Sequence, residues 1–135
     1  MLDHHGVEEI VRSSLDPTSG LLVARSAGGD GCLTLIVQAN SPTHTPSRAT
    51  GAQAQIETNG VDTFVLCLDG QFGYRDFDWV SEGQREILTL LSRLAEAYLA
   101  GKGCEGERRG FFGRRYSQLT LELDGQAYLF KGRRL

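Results

Sequence analysis

Ser81-Glu82-Gly83-Gln84-Arg85-Glu86-Ile87-Leu88-Thr89-Leu90-Leu91-Ser92-Arg93-Leu94-Ala95-Glu96-Ala97-Tyr98-Leu99-Ala100-Gly101 reads as one long amphipathic helix. Ile87, Leu91, Leu94 and Tyr98 recur at intervals of four, three and four, which keeps them on one helical face. Leu88, Leu90, Ala95 and Leu99 widen that face, while Arg85, Glu86, Arg93 and Glu96 are left for water. Ser81 followed by Gln84 has the form of a capping box, and Glu82 suits the positive end of the helix dipole. Gly101 is a C-terminal stop with Lys102 beside it, so the helix is predicted over 81–100. Burying five large side chains of this face would contribute on the order of 10 kcal/mol gross. A helix with one apolar face needs a sheet or another helix to cover it.

The segments before and after it supply a sheet. Leu21 to Arg25 and Cys32 to Gln38 read as strands, the second apolar on both faces at places and therefore interior to its sheet. Ala52, Ala54 and Ile56 alternate with Gln53, Gln55 and Glu57. Asn59-Gly60 then predicts a tight type I′ hairpin turn into Val61 to Leu68, and Asp69-Gly70 a second one into Gln71 to Trp79. After the helix, Leu119, Leu121 and Leu123 alternate with polar residues up to Asp124-Gly125, which turns the chain back into Ala127 to Lys131. The similar words Leu66-Cys67-Leu68-Asp69-Gly70-Gln71 and Leu121-Glu122-Leu123-Asp124-Gly125-Gln126 follow from shared turn chemistry. Val7, Ile10 and Val11 suggest a short N-terminal helix, ended by Asp16-Pro17. The expectation is an α+β fold: an antiparallel meander of about seven strands with the long helix packed on one face. Residues 40–51, with two of the three prolines, are expected to form a mobile loop, and 102–115 a Gly/Arg-rich loop.

Length and composition bound the class of protein. The 135 residues are enough for a single domain with one core. No apolar run approaches the ~20 residues needed to span a bilayer. Met1-Leu2-Asp3-His4-His5 has neither a basic region nor an apolar segment, so no signal peptide is expected. Cys32, Cys67 and Cys104 form no CxxC and no disulfide framework. Cys32 and Cys67 lie in apolar runs and are expected as reduced core residues, which fits a cytoplasmic location. The net charge of −3 conceals an asymmetry: residues 1–101 hold six Lys or Arg against thirteen Asp or Glu (−7), and residues 102–135 hold eight against four (+4). Either the two halves attract each other within the fold, or the surface has two electrostatic poles.

The word Arg108-Arg109-Gly110-Phe111-Phe112-Gly113-Arg114-Arg115 stands out. Arginine forks suit carboxylate or phosphate, and exposed phenylalanine faces fill a partner's pocket or stack on bases. The plainer alternative is that Phe111 and Phe112 anchor the segment in the core while the arginines stay solvated. The acidic balance of the whole chain disfavours nucleic acid, which calls for a basic domain. Trp79 is expected where strand meets helix; if exposed, it is an interface anchor. Asp76 and Asp78 share one strand face, an arrangement compatible with general acid–base work but more ordinary for a solvated face.

His4, His5 and His44 have no metal-ligand spacing with Cys104 or any other residue, and no metal or cofactor is expected. There is no P-loop, no GxGxxG after a strand, no HExxH and no GxSxG. The sequence therefore points to a non-enzymatic protein that binds an acidic-surfaced partner protein, such as an inhibitor, an immunity-type protein or a specific chaperone. The binding residues would be Arg108, Arg109, Phe111, Phe112, Arg114, Arg115 and Trp79. Phosphate or nucleic-acid binding through 108–115 is the alternative, and an enzyme using Asp76 and Asp78 a third.

Overall fold

Alternating apolar residues, such as Leu33, Leu35 and Val37 or Phe64, Leu66 and Leu68, place a row of buried side chains on one side of an antiparallel sheet. A computed structural model describes residues 2–26, 31–39 and 52–134. The strands are β1 (Leu21–Ser26), β2 (Leu33–Ala39), β3 (Gln53–Thr58), β4 (Thr63–Leu68), β5 (Phe72–Phe77), β6 (Cys104–Arg109), β7 (Arg115–Leu123) and β8 (Gln126–Arg134). Their order across the sheet is β1-β2-β3-β4-β5-β8-β7-β6. The first five strands form a meander in sequence order. The last three form a second meander, joined to the first where Gly73 of β5 pairs with Lys131 of β8.

Among the described residues, two α-helices cover one face. They are α1 (His4–Ser14) and α2 (Ser81–Leu99). Ile87, Leu88, Leu91, Leu94, Tyr98 and Leu99 of α2 are buried with Leu35, Ile56, Leu66, Leu68, Leu119, Leu121 and Phe130 of the sheet. The short N-terminal helix buries Val7, Ile10 and Val11, as their spacing requires. Asp3 caps it, its Oδ1 accepting a 2.7 Å hydrogen bond from the Gly6 amide.

The α+β class, the long helix and the short one match the sequence reading. Several local expectations are corrected. The N-cap of α2 is Val80, without a side-chain cap, so the Ser81/Gln84 capping box does not form. Gln84 is buried instead. Its Nε2 donates to the carbonyls of Val61 and Asp78, both at 2.9 Å, and its Oε1 accepts from the Leu2 amide at 3.3 Å. A side chain that ties three segments together is not available to cap its own helix. Gly83 lies beside it against the Asp78 carboxylate, which a Cβ there would displace.

The C-terminal stop forms as expected. Gly101 has φ 84°, its amide donates to Tyr98 O, and the Lys102 amide donates to Ala97 O, the Schellman pattern. Both Asp-Gly turns have positive φ at both residues, the type I′ signature. Asn59-Gly60 does not make the same turn. Asn59 Oδ1 accepts from the amides of Val61, Asp62 and Thr63, so the connection lengthens to four residues and β4 starts at Thr63.

Cys32 is exposed and Cys67 half-buried, so neither is a core residue. Leu66 and Leu68 take the inward positions of β4, and alternation turns Cys67 to the open face of the sheet. Leu33, Leu35 and Val37 do the same in β2, leaving Cys32 outside the strand. The segment 102–115 contains an eighth strand, β6, in place of the expected loop. The expected mobile loop 40–51, with His44, lies outside the described residues.

Candidate functional site

β6 and β7 are paired without interruption from Cys104–Thr120 to Arg109–Arg115. The chain reverses between them through a single 3-10 turn, Phe111–Gly113, closed by hydrogen bonds from the Gly110 amide to Arg114 O (2.8 Å) and from the Arg114 amide to Phe111 O (3.4 Å). Phe111 and Phe112 occupy the tip, 90% and 96% exposed. They anchor nothing in the core, so the plainer sequence alternative for them is overturned. Phe112 has φ 64° and ψ 25°, the left-handed region that a bulky L-residue rarely enters. Placing it there costs about 1–2 kcal/mol, which its own exposed ring does not offset by packing.

The tip rests on a stiff base. The Arg108 guanidinium stacks on the Tyr116 ring, 4.5 Å from its centroid. Gly110 makes room for that ring, since a Cβ there would lie 2.7 Å from Tyr116 Cε2. The Arg108 Nε is buried without a hydrogen-bond partner among the described residues, so Arg108 is committed to the stack. Arg115 lies 3.7 Å from Glu107, a long and solvent-exposed ion pair. Arg109 and Arg114 are exposed and make no ion pair among the described residues. The four arginines thus divide into one that stiffens the hairpin, one loosely paired, and two that present free charge beside the phenylalanines.

Trp79 is 66% exposed, an available anchor rather than a packing residue. The structure does not bring it to the hairpin tip. β5 runs antiparallel to β8, and β8 antiparallel to β7, so the end of β5 lies with the Asp124-Gly125 turn while the hairpin tip projects from the other end. Nine residues of β7 separate the two ends, about 30 Å at the rise of a strand. Three further exposed apolar residues sit near Trp79: Phe77, Val80 and Val61. The Asp78 amide donates to Asp62 O at 3.0 Å, and Gln84 bridges Val61 to Asp78, so these residues form one corner. Phe77, Val80 and Val61 were not among the expected binding residues, because alternation sorts strand faces without telling which face the helices leave open; Tyr116 was not either, because nothing local marks it as a base for the tip.

Asp76 and Asp78 serve the backbone. Asp76 Oδ1 accepts from the Phe77 amide (2.8 Å) and Asp78 Oδ1 from the Val80 amide (2.9 Å). No family model, no curated protein and no solved structure matches the chain. Among the described residues no group of three His, Cys, Asp or Glu is placed to hold a metal ion, and no helix is long and apolar enough to cross a membrane.

Proposed function

We propose that the chain works by binding another protein, without catalysis, through the tip of the β6–β7 hairpin. The observation that carries this reading is the pair Phe111 and Phe112, almost wholly exposed on a turn that holds one of them in a strained backbone conformation. Strain of this kind persists where the surrounding structure enforces it, and it collects at recognition and active sites. Two adjacent aromatic rings ringed by arginine have the composition of an interface anchor. Arg109 and Arg114 favour a partner whose rim is acidic, because rim charges steer encounter. An inhibitor, an immunity-type protein or a specific chaperone would use such an element, and a cytoplasmic setting suits three free thiols.

The test is affinity capture from the source organism with wild-type bait and with Phe111→Ser/Phe112→Ser bait, both first shown to melt at the same temperature. A protein held by the wild type and released by the variant is the expected result. Identical capture by both baits would remove the hairpin from recognition. Tight, salt-sensitive binding of mixed-sequence RNA that Arg109→Ala/Arg114→Ala abolishes would instead establish the phosphate reading.

A further inference from the structure

The two ends of the sheet are complementary to each other. One end carries Phe111 and Phe112 between Arg109 and Arg114. The other carries exposed Phe77 (64%), Trp79 and Val80 among Asp62, Asp76, Asp78 and Glu82. None of these four carboxylates makes an ion pair among the described residues. The charge asymmetry of the sequence is therefore not neutralised by ion pairing between the ends of one molecule. At about 30 Å they are several Debye lengths apart, that length being about 8 Å at physiological ionic strength. The tip has aromatic rings with unpaired cations, and the far corner has apolar surface with four unpaired anions against one exposed cation, Arg75.

We infer that the chain associates with itself head to tail, the Phe111–Phe112 tip of one copy seated on the Phe77–Trp79–Val80 corner of the next. This rests on the tip being a protein-binding element, as proposed above, and names a second copy of the chain as its acidic partner. The contact is heterologous, since the two surfaces differ, so each bound copy leaves one tip and one corner free and the assembly grows until it closes into a ring or runs on as a filament. The occupant is set by charge complementarity and by size. Aromatic side chains bury roughly 150–250 Å² each, so two from the tip and two from the corner bury roughly 600–1,000 Å², below the ~1,200 Å² of a stable interface and in the weak, reversible class. Arg109 and Arg114 against Asp62 and Glu82 would speed encounter and make association fall with added salt.

The experiment is sedimentation velocity on the full chain from micromolar to millimolar concentration, at low and high salt. Wild type is expected to shift from monomer to larger species with concentration, and to shift back with salt. A tip variant, Phe111→Ser/Phe112→Ser, and a corner variant, Trp79→Ser/Glu82→Lys, each remain monomeric where wild type assembles, with association weakened by about tenfold or more. All the altered side chains are at least partly exposed, so circular dichroism should show both variants folded. Should the Ser variant misfold, Arg109→Glu/Arg114→Glu replaces it. Mixing the two variants gives the deciding result. The tip variant retains a good corner and the corner variant a good tip, so the mixture forms one-to-one dimers that grow no further. A wild type that stays monomeric throughout overturns the inference. So does assembly that the variants leave intact, or a mixture that fails to complement, since a two-fold symmetric contact would behave that way. If wild type is monomeric while its tip still captures a different protein, the inference falls and the proposed function stands.

Discussion

Replacing Phe112 by glycine should make the protein slightly more stable and abolish its binding. Phe112 sits at φ 64° with its ring 96% exposed, so it loses backbone energy and gains almost nothing from packing. Relief of the left-handed penalty is worth about 1–2 kcal/mol. Glycine gives back roughly 0.5–1 kcal/mol through the greater freedom of the unfolded chain. The balance is a net stabilisation of about 0.5 kcal/mol. With an unfolding entropy of about 2.1 cal/mol/K per residue, that raises Tm by about 2 °C in a chain of this size. Calorimetry or a urea titration of Phe112→Gly beside wild type measures it, and Phe112→Asn is the control, because asparagine tolerates the left-handed region while keeping a side chain. Loss of binding with gain of stability identifies strain held for recognition. A fall in stability of more than about 1 kcal/mol would refute the reasoning, since it would mean that the ring packs on the folded protein. Unchanged binding would refute it as well, because the ring would then have no partner to meet.

Two further outcomes follow from single side chains. Gln84→Leu removes two donated hydrogen bonds and one accepted, leaving the Val61 and Asp78 carbonyls unsatisfied, and should destabilise by about 2–4 kcal/mol in chemical denaturation; it should also loosen the corner carrying Trp79, visible as a red shift in tryptophan fluorescence. Glu8 accepts from Arg25 Nε at 3.0 Å, and that hydrogen bond, aided by Arg12, holds its carboxyl below the ordinary 4.5; the stabilisation is therefore present above pH 4.5 and is lost as pH falls through the depressed folded value, so Glu8→Gln should flatten the acid limb of a Tm-against-pH curve and leave the neutral region with a uniformly lower Tm.

The amino-acid sequence by itself determined the elements whose signals are local. A helix with an apolar stripe from Ile87 to Tyr98 and a glycine stop, two Asp-Gly turns with left-handed residues, and alternating strands around them need no distant partner to be read, because hydrophobic period and turn chemistry act over a few residues. The α+β class follows from them. Only the tertiary structure decided where ambiguous side chains went. Gln84 has the sequence of a cap, yet it became a bridge between Leu2, Val61 and Asp78, because it is buried where three segments meet. Cys67 lies in an apolar word, yet sheet parity turned it outward. Glycine and glutamate at 104–109 disfavour a strand, but pairing with β7 made β6 one, since ladder hydrogen bonds come from the partner and not from the strand's own side chains. The candidate site shows the same division. Composition alone drew attention to Arg108 through Arg115. Whether the phenylalanines were core or surface depended on the β6–β7 pairing, which puts them in the exposed turn between the two strands. That Trp79 belongs to the opposite end depended on strand order, which is set by long-range pairing and is invisible in any window of sequence.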